Sequence, residues 1–112
     1  MQDEIRKYLF DILQAAKDIV EFTRDLRYTD YVADAKTQAS VERKFEIVGE
    51  ALNRIKRLDK SLVATIPDHE RIISFRNIIS HGYDIINPEL VWDAVQNHLP
   101  ALVQVVQDLL RS

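Results

Sequence analysis

The 112-residue chain has no cysteine, two glycines, three prolines and one tryptophan. Without thiols it can have neither a disulfide framework nor a thiolate metal site, and a reducing compartment suits it. Two glycines are too few for a phosphate-cradling GxxxxGK[ST] loop or a GxGxxG turn, so nucleotide binding by those devices is excluded. There is no HExxH or other paired-histidine spacing. His69, His81 and His98 are scattered, so neither a bound metal nor a cofactor is expected. Long apolar runs are missing too. The opening MQDEIRKYLFDILQ is charged and helically periodic, unlike a signal peptide or membrane span, which predicts a soluble, cytoplasmic protein with no membrane partner. A formal net charge of -3 argues against coating nucleic acid by bulk electrostatics, since phosphate neutralisation needs clustered Lys and Arg. A local basic site stays open.

What the chain does have is 46% hydrophobic residues, enough for one continuous core, and the reading is a single domain over 1–112. Ile5, Leu9, Ile12, Ala16, Ile19, Thr23 and Leu26 recur at steps of four and three, which predicts a long first helix with one apolar stripe. After a polar break at RYTDY, a second stripe runs through Val41, Phe45, Val48, Leu52 and Ile55. Pro67 interrupts the chain, and Asp68 is expected to cap a third helix by accepting a backbone N–H, with Ile72, Ile73, Phe75 and Ile79 inward and Gly82 as its stop. Asn87-Pro88-Glu89 reads as the start of a fourth helix carrying Val91, Val95, Leu99, Leu102, Val106 and Leu109. Pro100 should kink it. The expected architecture is all-α, an antiparallel four-helix bundle with short additional helical turns, able to form a two-fold homodimer. Trp92 is expected to pack rather than to bind a ligand.

Chemistry concentrates in RNIISHGY, Arg76 to Tyr83. On an unbroken helix Arg76 and His81 lie about 140° apart, whereas Asn77 and His81, four apart, share a face. A histidine in a last turn followed by glycine is also an ordinary helix ending. The same residues would equally serve metal-free RNA cleavage. His81 titrates near neutrality and can be base or acid, the Arg76 fork suits a phosphate, and Asn77 can orient either by hydrogen bonding. One histidine does not easily serve both proton transfers, but a two-fold dimer brings a second copy to the same cleft.

RNIISHGY resembles the Arg-x4-His-x-Tyr motif of the HepT-like proteins, a branch of the HEPN superfamily of small helical bundles. VERKFEIVGEAL, Val41 to Leu52, is similar to the family's second helix, and DIINPELVWDAV, Asp84 to Val95, to the segment after its motif. The resemblance implies a metal-independent ribonuclease, the toxin of a toxin–antitoxin pair, with its active site at a homodimer interface. Arg76 and His81 carry over as catalytic and Asn77 as an orienting residue. The partner implied is an MntA-like minimal nucleotidyltransferase, an antitoxin that attaches AMP to the motif tyrosine, here Tyr83. A different class of function uses the same residues: a noncatalytic helical subunit that binds a nucleotide or holds a nucleotidyltransferase. Arg54, Lys56, Arg57 and Lys60 form the densest basic cluster and are candidate RNA contacts, although cations are favoured at a helix C-terminus in any case. Glu50 is expected to pair with Arg54 one turn on, with Arg76 as a second partner within reach. Gly49, costly inside a helix, suggests a close helix approach.

Overall fold

The computed structural model describes residues 1–81 and 87–112, with side chains for 1–77 and 87–112. The expectations for Ile79, the His81 side chain, Gly82 and Tyr83 lie outside the described residues. α1 spans Asp3–Phe22, with Ile5, Leu9, Ile12, Ala16 and Ile19 buried as their spacing predicts. Thr23 caps its end rather than extending it, and its hydroxyl donates back to the Ile19 carbonyl at 2.9 Å. α3, Ala35–Leu58, buries Val41, Phe45, Val48, Leu52 and Ile55. It starts at Asp34, whose carboxylate accepts from the N–H groups of Lys36 and Thr37. Those bonds, the Thr37 hydroxyl first, hold the Asp34 carboxyl below its usual range.

The RYTDY stretch is not a plain break. It forms a short helix, α2, Tyr28–Ala33, whose Tyr31 is fully buried with its ring centroid 5.3 Å from that of Trp92. α4, Lys60–Val63, is a single turn capped by Asp59, and α5 covers His69–His81 with Ile72 and Phe75 buried.

Asp68 departs from its expected role. Its φ is +61°, outside the extended range of an N-cap residue, and its carboxylate lies 2.9 Å from Nδ1 of His98 instead of on a backbone N–H. Its own carbonyl accepts from the Ile72 N–H.

The last helical stretch opens as α6, Pro88–Asp93, where the Asn87 side chain accepts from the Glu89 N–H at 2.9 Å, as the sequence indicates. Pro100 produces a change of register in place of a simple kink. A π-helical turn, Ala94–His98, in which the Leu99 N–H reaches back to the Ala94 carbonyl, precedes α7, Leu99–Arg111. Pro100 then sits in the first turn of α7, where a missing N–H is tolerated.

The described residues are helical, and the long helices form a bundle around one apolar core. α3 packs between α1 and α5, while α1 carries α7 on its other side. Lys44 of α3 pairs with Asp18 of α1 at 2.9 Å, and Arg6 of α1 donates to the Leu110 carbonyl of α7 at 2.8 Å. Among the described residues no helix is long and apolar enough to cross a membrane.

Candidate active site

The site begins with a missing side chain. A Cβ built on Gly49 would lie 2.5 Å from the Arg76 Cβ and 2.9 Å from the Ile72 carbonyl oxygen, so only glycine allows α5 to settle this closely on α3. Arg76 is thereby laid against the next residue of α3, Glu50.

Glu50 serves two cations. Its Oε1 accepts from Arg54 Nε at 2.9 Å, the pair expected within α3, and its Oε2 contacts Arg76 Nη2 at 2.6 Å. That second oxygen is buried, off the line of an ideal hydrogen bond, and depends on the arginine charge for compensation. The Arg54 hydrogen bond, helped by the charges of both guanidinium groups, holds the Glu50 carboxyl below its usual range against the opposing effect of burial.

Arg76 Nη1 donates to Asn77 Oδ1 at 3.0 Å, an exposed contact between neighbours on α5. With one edge on Glu50 and another on Asn77, the guanidinium, 30% exposed, still has N–H groups to offer an anion. α5 ends at His81, five residues beyond.

Arg76 opens onto a cleft of about 530 Å³ between α1, α3 and α5, lined also by Glu50, Arg54, Arg43, Lys7 and Tyr8. Tyr8 was not legible as a site residue. Its hydroxyl receives a long hydrogen bond from Arg54 Nη1 at 3.4 Å, and the Arg54 guanidinium lies 5.9 Å from its ring centre. The Tyr8 contact is also the leading reason that Arg54 is held more firmly protonated than usual. The one available signal is that Tyr8 directly precedes Leu9 on the margin of the buried stripe.

Of the basic cluster, only Arg54 lines this cleft. Arg57 falls on the same side of α3 one turn on, whereas Lys56 falls about 160° around the helix from Arg54. Lys56, Arg57 and Lys60 are exposed.

A second polar cluster lies elsewhere. Both His98 ring nitrogens meet carboxylates, Nδ1 with Asp68 at 2.9 Å and Nε2 with Asp93 at 3.0 Å, and Arg71 stands within 4.0 Å of Asp93. This histidine ties the start of α5 to the π turn.

Comparison with known proteins gives the family. The model of the family described as "Ribonuclease HepT-like" matches residues 12–109. The chain belongs to that family. Among its relatives is a Methanocaldococcus jannaschii protein named "Putative RNase", 32% identical over 111 residues, covering 97% of this chain and 89% of the relative. Another is a Thermococcus cleftensis protein named "Probable ribonuclease HepT", 35% identical over 102 residues, covering 91% of this chain and 92% of the relative. No solved structure matches. The family that the sequence resembles is thus the one that the comparisons give, over residues 12–109.

Proposed function

We propose that this HepT-like chain is a metal-independent endoribonuclease, the toxin of a toxin–antitoxin pair, cleaving tRNA or mRNA at a composite site between the two copies of a homodimer. The observation that carries the reading is the grip on Arg76: Glu50 of α3 on one edge, Asn77 on another and donors left over for a phosphate, with Arg76 itself on the helix that ends at His81. The 2'-hydroxyl oxygen attacks phosphorus and the bond to the 5' oxygen breaks, leaving a 2',3'-cyclic phosphate. His81 of one copy takes the 2'-hydroxyl proton and His81 of the other gives one to the leaving oxygen. Arg76 stabilises the charge that gathers on the phosphorane oxygens.

Residues 1–112 act as one domain in this reading. Lys56, Arg57 and Lys60 guide the RNA backbone toward the cleft by charge. Tyr83, two residues after His81, is the point at which an MntA-like nucleotidyltransferase antitoxin adds AMP. The added phosphates would occupy and repel the place that an RNA phosphate needs.

The test is cleavage of total cellular RNA in excess EDTA by wild type, Arg76→Ala and His81→Ala, with intact mass showing Tyr83 unmodified. Cleavage by the wild type alone, leaving cyclic phosphate ends, is expected. An unmodified dimer that cuts none of several RNA pools would leave the noncatalytic subunit, holding a nucleotide or a nucleotidyltransferase, as the better account.

A further inference from the structure

The cleft beside Arg76 is larger than one phosphate needs. Its lining holds four cations, Lys7, Arg43, Arg54 and Arg76, against three carboxylates. Lys7 is matched by Asp11 at 3.0 Å and Arg43 by Glu46, but Arg54 and Arg76 divide the single carboxylate of Glu50. In a chain of net charge -3, this cleft carries a local excess of positive charge at two guanidinium forks. An anion is the natural complement.

The cleft also has an aromatic wall. Tyr8 is half-buried, and it is the one aromatic among the described residues lining the space. Lys7 Nζ sits 5.2 Å from its ring centre and is itself largely exposed, so it can move aside with its charge still close by. A ring flanked by exposed cations offers a face for stacking and neighbours for a phosphate. Proteins that hold single-stranded nucleic acid combine these same elements. About 530 Å³ is room for one nucleotide unit.

We infer that this cleft is a nucleotide subsite: it holds one unpaired ribonucleotide next to the phosphate at Arg76, with the base stacked on Tyr8 and its outer phosphate on Arg54 and Lys7. The substrate class takes its support from the ribonuclease reading, and the inference deepens it. The subsite makes the substrate single-stranded at the cut and gives α1 a part in binding. Arg54 thereby touches the bound nucleotide directly, whereas Lys56, about 160° around α3, does not line the subsite and acts on the RNA only by charge.

The experiment measures binding, by fluorescence anisotropy in EDTA, of a labelled single strand of about ten 2'-O-methyl nucleotides, which cannot be cut through its 2'-oxygen. Wild type, Tyr8→Leu, Tyr8→Phe and Arg54→Gln are compared, each checked for unchanged helicity. Tyr8→Leu is expected to weaken binding about tenfold, with Tyr8→Phe staying within about twofold, because the ring and not the hydroxyl is used. Arg54→Gln is expected to weaken binding and to flatten the salt dependence by about one counterion. A strand of equal length without bases should bind wild type and Tyr8→Leu alike. If Tyr8→Leu binds the full strand as tightly as wild type, or loses as much on the strand without bases, the subsite is overturned. Cleavage of ordinary RNA is scored separately. Tyr8-dependent binding without cleavage removes the ribonuclease reading and leaves the subsite, while cleavage with an indifferent Tyr8 does the reverse.

Discussion

Gly49 lies directly beneath Arg76, close enough that a methyl group on the glycine would stand 2.5 Å from the arginine's Cβ. Gly49→Ala gains about 1 kcal/mol of helix propensity in α3. That gain is smaller than the cost of pushing α5 away, because the second contact, at 2.9 Å, is with the Ile72 backbone oxygen and cannot rotate aside. Overpacking of this kind costs about 1–3 kcal/mol. Urea denaturation should show a net loss of stability, and RNA cleavage should fall further than stability does, since Arg76 moves with its helix.

Glu50→Gln keeps the size of the side chain and removes the charge that two guanidinium groups share. The fold should stay intact by circular dichroism, while kcat drops about tenfold, the equivalent of ~1.5 kcal/mol for a charge-assisted hydrogen bond. KM should change less, because the arginine remains present but is held less firmly. A kcat equal to wild type would show that Arg76 needs no anchor on α3.

Tyr31 and Trp92 join α2 to α6 through rings 5.3 Å apart. Trp92→Ala should destabilise by about 3 kcal/mol, the low end for a large aromatic because the indole is only half-buried. Burial pushes the Tyr31 phenol far above the ordinary tyrosine value of 10.0. The folded state thus keeps a proton that the unfolded chain gives up. Stability is full below pH 10 and falls as pH climbs above it. Tyr31→Phe should flatten that alkaline loss in a series of thermal melts.

Asp93 is the acid-side counterpart. Hydrogen bonds from Asn97 and then His98 hold its carboxyl below the ordinary aspartate value of 3.8. Its contribution is therefore present above that pH and disappears as pH falls through the lowered value in the folded state. Asp93→Asn should remove part of the acid slope. His98→Ala should lower Tm, because the contacts of the ring with both Asp68 and Asp93 are lost.

The long helices were legible because their apolar residues keep a strict four-and-three spacing, as in the run from Val41 to Ile55, and because Asn87-Pro88-Glu89 is local capping chemistry. α2 was not legible. Six residues are too few to show a period, and Tyr31 is buried by a tryptophan 61 positions later. Asp68 misled because a left-handed φ turns its carboxylate away from its own helix. At the site, Arg76 and Asn77 stand out in the sequence. The Glu50–Arg76 contact was undervalued against the visible pair within α3, since the approach of α5 that permits it depends on tertiary packing over Gly49. Tyr8 is 46 residues from Arg54, and no local pattern joins them.

The hydrogen bond from Arg6 to Leu110 spans 104 residues of chain. During synthesis at ~5–20 residues per second, that carbonyl emerges about 5–20 s after the arginine that donates to it. Until then α1 has α3 on one side and an uncovered flank on the other. α3 and α5 both precede α7 in the chain, so the seating of Arg76 on Glu50 does not depend on α7 in the way that the cover of α1 does.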